Sequence, residues 1–311
     1  MQPSEKSYQK TLTACFTGYI VQAIVNNFVP LLFLTFQHQY GIPLSQITLL
    51  VTLNFGLQLL VDLASVKFVD KIGYRAAAVL AHAMAVLGFG LLTFLPELTP
   101  TPFAGLLISV MIYAVGGGLL EVLISPIVEA CPTEHKERTM SMLHSFYCWG
   151  TVGVVALSTL FFTLFGIENW KILACLWAIV PLVNVFNFAV VPINKVVEDG
   201  RSMTIRELAG SGIFWLLALL MVCAGASEQA MSQWASAYTE SALRVSKTVG
   251  DLAGPCLFAV LMGGARMFYA KCSEKVDLRR FMVFSGALCI ACYLMASLSD
   301  SPLLGLLGCG L

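Results

Sequence analysis

The chain has 311 residues, of which 58% are hydrophobic and only 12% charged, and its mean hydropathy is +0.82. A soluble domain carries about a quarter charged residues, so this composition excludes one and identifies an integral membrane protein. The 18 basic and 18 acidic residues cancel, which leaves no cationic surplus pointing to nucleic acid.

The N-terminal stretch MQPSEKSYQK is polar and mixed in charge, unlike the start of a cleaved leader, and the apolar run behind it is long enough to remain as a span. Nine runs of about 20 residues, each able to cross a bilayer as a helix, are predicted at 11–35, 45–66, 76–96, 102–128, 140–165, 170–193, 208–236, 249–270 and 280–298. A tenth opens at Ser301 and is still apolar at Leu311, so the chain is expected to be a fragment.

The first run carries two amides, Asn26 and Asn27, shortly before Pro30. The second carries Asn54, and its Gln58 and Asp62 are four apart and share a helix face. Intramembrane amides suit hydrogen bonds to a solute or between helices. Asp62 has the alternative of pairing with Lys67 or Arg75 near its helix end.

The fourth run places a single carboxylate, Glu121, among residues 103–128, which carry no other charge. An ionised carboxylate in hydrocarbon is costly, so Glu121 is expected to face a protein interior or a watery cavity. There it serves as a substrate-gripping or proton-exchanging acid; the alternative is a helix-bridging hydrogen bond. Gly116, Gly117 and Gly118 let a neighbouring helix or a ligand approach closely. Pro126 is expected to bend the helix.

His144 in the fifth run reads as a packing residue. In the seventh, Glu228 follows Gly225, where the helix is expected to break near the midplane; the alternative is a helix emerging into water. Trp234 and Tyr238 stack on a solute or anchor in the interfacial belt. Arg266 in the eighth reads as a structural cation that snorkels or pairs with an acid. The ten cysteines lie mostly singly in apolar runs and read as packing residues. No phosphate-cradling loop, metal-ligand spacing or catalytic triad pattern is present, so no enzyme, cofactor or metal is expected.

Lys and Arg fix the expected orientation. Fourteen of the 18 fall in the N-terminus and alternate loops, against Lys171, Arg244 and Lys247 on the opposite side and Arg266 within a span. The N-terminus and the loop 194–206 are therefore expected in the cytoplasm. Basic segments Val69–Arg75 and Lys271–Arg280 recur at matching places on either side of that loop, as do the Thr101-Pro102 and Ser301-Pro302 helix starts. This pattern predicts an all-α polytopic protein duplicated as six plus six spans, of which about nine to ten are present. Its parts are an N-terminal six-helix bundle (1–193), a cytoplasmic linker (194–207) and an incomplete C-terminal bundle (208–311).

Asp70-Lys71-Ile72-Gly73-Tyr74-Arg75 resembles the loop signature of the major facilitator superfamily, Gly-x-x-x-Asp-Arg/Lys-x-Gly-x-Arg, with Val66 in place of the leading Gly. Within it, Gly116, Glu121 and Pro126 are similar to the fourth-span Gly-x-x-x-x-Glu-x-x-x-Asn-Pro of the fucose permease group, Ser125 standing where Asn is usual. The seventh span, Gly225 to Glu228 with Trp234 and Tyr238, and the Gly-rich eighth span with Arg266, are also similar. Asn26 departs from the group, which has an acid there; an amide carries no proton.

The resemblance implies a secondary transporter moving a small polar solute, a sugar, with a proton, by alternating access. It implies substrate or coupling roles for Glu121, Glu228 and Trp234, and a cytoplasmic gating latch of Asp70 with Arg75. Asn26, Asn27, Gln58 and Asp62, as polar groups within the first two spans, are expected to add substrate or coupling contacts. The protein is expected as a monomer in the plasma membrane, surrounded by lipid. Two alternatives stay open: an exporter of amphipathic compounds or drugs, and a non-transporting nutrient sensor.

Overall fold

The computed structural model describes residues 5–133, 136–194, 205–272, 277–299 and 301–311. Most of the expected linker and the middle of the second basic segment lie outside these residues. Among them, nine helices are long and apolar enough to cross a membrane, one for each predicted run.

Helix α1 (Glu5–Asn27) passes through a 3-10 turn (Val29–Leu32) into α2 (Phe33–Tyr40), and together they make one crossing. Then come α3 (Leu44–Ile72), α4 (Tyr74–Leu98), α5 (Pro102–Glu129), α6 (Lys136–Phe165) and α7 (Trp170–Val190). A short α8 (Ile205–Ala209) leads to α9 (Gly212–Ser241). The next crossing is α10 (Lys247–Asp251), a π turn (Leu252–Cys256) and α11 (Leu257–Cys272); α12 (Leu278–Leu298) and α13 (Pro302–Gly310) follow.

The local chemistry explains the boundaries. Gly73, at φ 84°, lets the chain reverse between α3 and α4 in the space of one residue. Thr101 caps α5, its hydroxyl accepting from the Ala104 amide at 3.4 Å, and Pro102 follows at the first helical position. The turns Val29–Leu32 and Leu252–Cys256, which interrupt crossings between α-helical segments, each contain a proline, Pro30 and Pro255, which cannot donate to the ladder. Gly225 does not break its helix: α9 is continuous from Gly212 to Ser241. A glycine removes a side chain but keeps its N–H, so the hydrogen-bond ladder survives there. α5 likewise continues through Pro126.

α5 lies at the centre, against α4, α3 and α1, while α7 backs α4, and α6 backs α1. The triple glycine makes this closeness possible. A Cβ on Gly116 would lie 2.5 Å from the Ala81 carbonyl oxygen of α4, one on Gly117 3.1 Å from Val25 Cγ1 of α1, and one on Gly118 2.9 Å from the Gln58 carbonyl oxygen of α3. Three helices thus touch α5 at three consecutive residues, as small residues allow where no hydrophobic effect drives association. The perimeter is the reverse of a soluble protein's, with Leu59, Leu63, Phe186, Val190, Met221 and Val283 exposed. α6 also packs against α11, and the turn Val29–Leu32 against α9.

Candidate functional site

Glu121 is exposed although its neighbours Leu119, Leu120, Leu123 and Ile124 are buried. It opens onto a cavity of about 370 Å³. α1 contributes Tyr19, Gln22 and Asn26 to the wall, α6 His144 and Tyr147, α9 Gly225, Glu228 and Gln229, and α11 Arg266. Past His144 and Arg266 the space widens into an opening of about 490 Å³ beside Ser141, Tyr269 and Phe281, towards the predicted cytoplasmic ends of α6, α11 and α12.

Two carboxylates and one guanidinium therefore face one cavity. Arg266 Nη2 stands 3.7 Å from Glu228 Oε2, and its Nη1 donates to the His144 carbonyl at 3.5 Å. Glu121 has a thinner shell: Gln22 Nε2 donates to its Oε2 at 3.5 Å. Behind it runs a chain of amides. Gln22 Nε2 also donates to Gln58 Oε1 at 3.5 Å; Gln58 Nε2 donates to Asn26 Oδ1 at 3.2 Å and Asn54 Oδ1 at 3.3 Å. The oxygens Gln22 Oε1 and Gln229 Oε1 are buried without a partner among the described residues.

The predicted outer side is closed. Between Asn26, Pro30, Phe33, Asn54, Tyr113 and Gln233 only about 10 Å³ remains, scarcely room for one water. Gln233 Nε2 donates to the Asn26 carbonyl at 2.8 Å, which joins α9 to α1. Further out, Lys247 Nζ donates to the Leu31 carbonyl at 2.7 Å and pairs with Asp251 Oδ2 at 3.2 Å. Asp251 is fully buried and takes further bonds from Ser236 Oγ at 2.5 Å and Thr159 Oγ1 at 3.1 Å. That cluster joins the turn Val29–Leu32 to α6, α9 and α10.

Of the residues singled out from sequence, Glu121, Asn26 and Glu228 share the cavity wall. Asn27 lies outside it and bonds the Ala23 carbonyl and Thr151 Oγ1, joining α1 to α6. Gln58 stands behind the wall within the amide chain. Asp62 is outside it as well, its Oδ1 buried with no hydrogen-bond partner among the described residues. The alternative pairing of Asp62 with Arg75 is not formed: Arg75 Nη1 donates to the Phe188 and Ala189 carbonyls at 3.0 and 2.8 Å. Free carbonyls at the end of α7 are the nearer acceptors. The Asp70 side chain lies outside the described residues. Trp234 tilts against Phe33, ring centroids 5.1 Å apart, away from the cavity, and Tyr238 donates to the Ala296 carbonyl.

Sequence reading missed Gln22, Gln233 and the Lys247–Asp251 pair. A signal existed for the last: an acid in an apolar run, four residues after a lysine. Arg266, read as a structural cation, does pair with an acid, but in the cavity wall.

A crystal structure of a D-xylose–proton symporter superposes with a TM-score of 0.70 at 16% identity, over 98% of this chain and 77% of that one. The inward open xylose transporter XylE from E. coli gives 0.62 at 15% identity, covering 97% and 77%. A POT family transporter in complex with 5-aminolevulinic acid gives 0.63 at 13%, covering 97% and 78%. Identities this low establish the fold alone. No curated protein matches the chain in sequence. The family model described as Major Facilitator Superfamily matches residues 13–311, nearly the whole length. Helices, cavity and family match agree on a membrane secondary transporter rather than an enzyme: the chain belongs to the Major Facilitator Superfamily.

Proposed function

We propose that the protein takes up a small, hydroxyl-rich solute of the sugar class together with a proton, by alternating access across the plasma membrane. Residues 1–193 and 208–311 form the two bodies that rock about the cavity, joined by the linker 194–207, with the N-terminus in the cytoplasm and the protein acting as a monomer. In that orientation the cavity opens to the cytoplasm and is sealed from outside. Asp70 and Arg75 belong to the latch that closes the cytoplasmic side in the opposite state.

The observation carrying this reading is Glu121, a carboxylate within a membrane-spanning helix, accessible to the cavity and held by one long hydrogen bond. With Glu121, Glu228 and Arg266 all ionised, one negative charge stands unbalanced in the cavity wall, and a proton balances it. The volume suits a small solute. Asn26 and Glu228, both in the cavity wall, offer hydrogen bonds to sugar hydroxyls. Likeness in fold to a D-xylose–proton symporter, and the fourth-span resemblance to fucose permeases, support the same class.

In vesicles with an imposed inward proton gradient, the wild-type chain should accumulate a radiolabelled sugar from a screened panel. Glu121→Gln should abolish gradient-driven accumulation while leaving membrane insertion and gradient-free exchange. Accumulation by Glu121→Gln at the wild-type rate overturns the coupling role. Gradient-driven efflux of amphipathic dyes with no sugar uptake overturns the substrate class.

A further inference from the structure

We propose that Gln22, acting through Gln58, is the positioning residue that senses the protonation of Glu121 and passes it to the contact sealing the outer side of the cavity. This rests on reading Glu121 as the proton-exchanging acid. The two groups that Gln22 Nε2 faces, Glu121 Oε2 and Gln58 Oε1, are both acceptors, each at 3.5 Å. That fixes the amide with its nitrogen towards them and strands its Oε1, which is buried and unpartnered on a residue only 5% exposed. A buried acceptor without a donor costs about 1–3 kcal/mol. The arrangement is therefore favourable only while Glu121 is a carboxylate that needs a donor.

A proton arriving on Glu121 turns one of its oxygens into a donor. Turning the Gln22 amide by half a revolution then lets Oε1 accept from it and satisfies the stranded atom. The same turn takes Nε2 away from Gln58 and sets two carbonyl oxygens against each other, so the Gln58 amide turns in response. Gly117 leaves it the room: a Cβ there would lie 3.2 Å from Gln58 Cδ and 3.3 Å from Oε1. Gln58 Nε2 thereby lets go of Asn54 Oδ1 on its own helix and of Asn26 Oδ1, the bond that ties α3 to α1 at the residue whose carbonyl receives Gln233 from α9. The inter-half contact loses its footing, and the outer side opens. No bond other than the carboxyl O–H is made or broken covalently.

Other ionisable groups face the same space and must be separated from Glu121. They are Glu228 of α9, held by Arg266 of α11; His144 and Tyr147 of α6; and Tyr19 of α1. Asp62, one turn beyond Gln58 on α3, lies outside the cavity and must be separated from Glu121 as well.

The test is the rate at which a membrane-impermeant maleimide labels Val29→Cys, in the outer pocket, in right-side-out vesicles between pH 8 and pH 5.5. Labelling of the parent without that cysteine serves as background. In Val29→Cys alone the rate should rise severalfold on acidification. Adding Glu121→Gln should make it independent of pH, and Gln22→Met or Gln58→Leu should flatten it as well. Gly117→Ala keeps both glutamines but crowds the Gln58 amide, and should also reduce the response; it carries the test if the glutamine variants fail to fold. A response lost in Glu121→Gln but retained in Gln22→Met, Gln58→Leu and Gly117→Ala overturns the relay and leaves the role of Glu121 intact. A response retained in Glu121→Gln overturns that role itself. If His144→Gln flattens the response and Glu121→Gln does not, the imidazole is the titrating group and the relay falls with it.

Discussion

Asp251 and Glu121 are both carboxylates set within apolar helices of one chain, and their surroundings are opposite. Asp251 has no exposed surface and four donor contacts, from Lys247, Ser236 and Thr159, shared between its two oxygens. Glu121 is exposed to a cavity, with one donor at 3.5 Å. Burial of a charge is tolerable only when its attractions are complete, so Asp251 is a fixed part of the outer closure. A carboxylate with vacant lone pairs beside water is free to change partners, which is what a transport site requires. The two regions thus divide one chemical group between holding the molecule shut and letting it respond.

The largest effect that separates them is on stability. Asp251→Ala leaves Lys247 half-buried without its counter-charge, next to Ser236 and Thr159 hydroxyls that have lost their acceptor. Removing one partner of a buried pair costs about 3–5 kcal/mol, and the melting temperature in detergent should fall accordingly. Asp251→Leu combined with Lys247→Met removes both charges and should recover most of the loss. Glu121→Gln, at a position already in contact with water, should leave the melting temperature near wild type. Equal losses at the two positions would erase the distinction.

How much of this contrast could be read from sequence follows from what each signal depends on. Apolar runs are one-dimensional, so all nine crossings were legible, and so was the anomaly of Glu121 among uncharged residues. The triple glycine correctly announced close approach, since the absence of a side chain is a local fact. What stayed hidden was pairing across the molecule. Asp251 is as anomalous in sequence as Glu121, and only the arrival of Thr159, Ser236 and the Leu31 carbonyl from other helices makes it a closed cluster. Gln22 gains its meaning from Gln58 and Glu121, 36 and 99 positions away. The break expected at Gly225 failed for a different reason: flexibility of a backbone position does not by itself remove a hydrogen bond, as proline does at Pro30 and Pro255.

A second way to sharpen the comparison sets packed glycines against open ones. Gly116→Ala drives a Cβ to within 2.5 Å of the Ala81 carbonyl oxygen, a backbone atom that cannot step aside. Overpacking of this kind costs about 1–3 kcal/mol, visible as a lowered melting temperature and slower uptake. Gly153→Ala meets nothing within 4 Å and should raise helix stability by about 0.5–1 kcal/mol.

Arg266→Met probes the open region itself. Its pair with Glu228 is long, at 3.7 Å, and both side chains are about a third exposed, so the pair contributes no more than about 1 kcal/mol to stability. Uptake should nevertheless fall sharply, because Glu228 then adds a second unbalanced charge to the cavity. A variant that transports normally would reduce Arg266 to a structural cation.

The smallest expected change lies at the boundary between the two regions. Trp234 is part of the closed outer side, its ring tilted on Phe33, and it does not reach the cavity. Trp234→Phe keeps an aromatic pair there, a contact class worth about 0.5–1.5 kcal/mol beyond burial. Stability should therefore drop by less than that amount, and the apparent KM for solute should stay at its wild-type value. A raised KM with unchanged stability would mean that the indole meets the solute in the outward-open state, when Phe33 and Trp234 have parted. The outer side would then be a binding surface as well as a seal, and the division between the two carboxylates would describe only the inward-open half of the cycle.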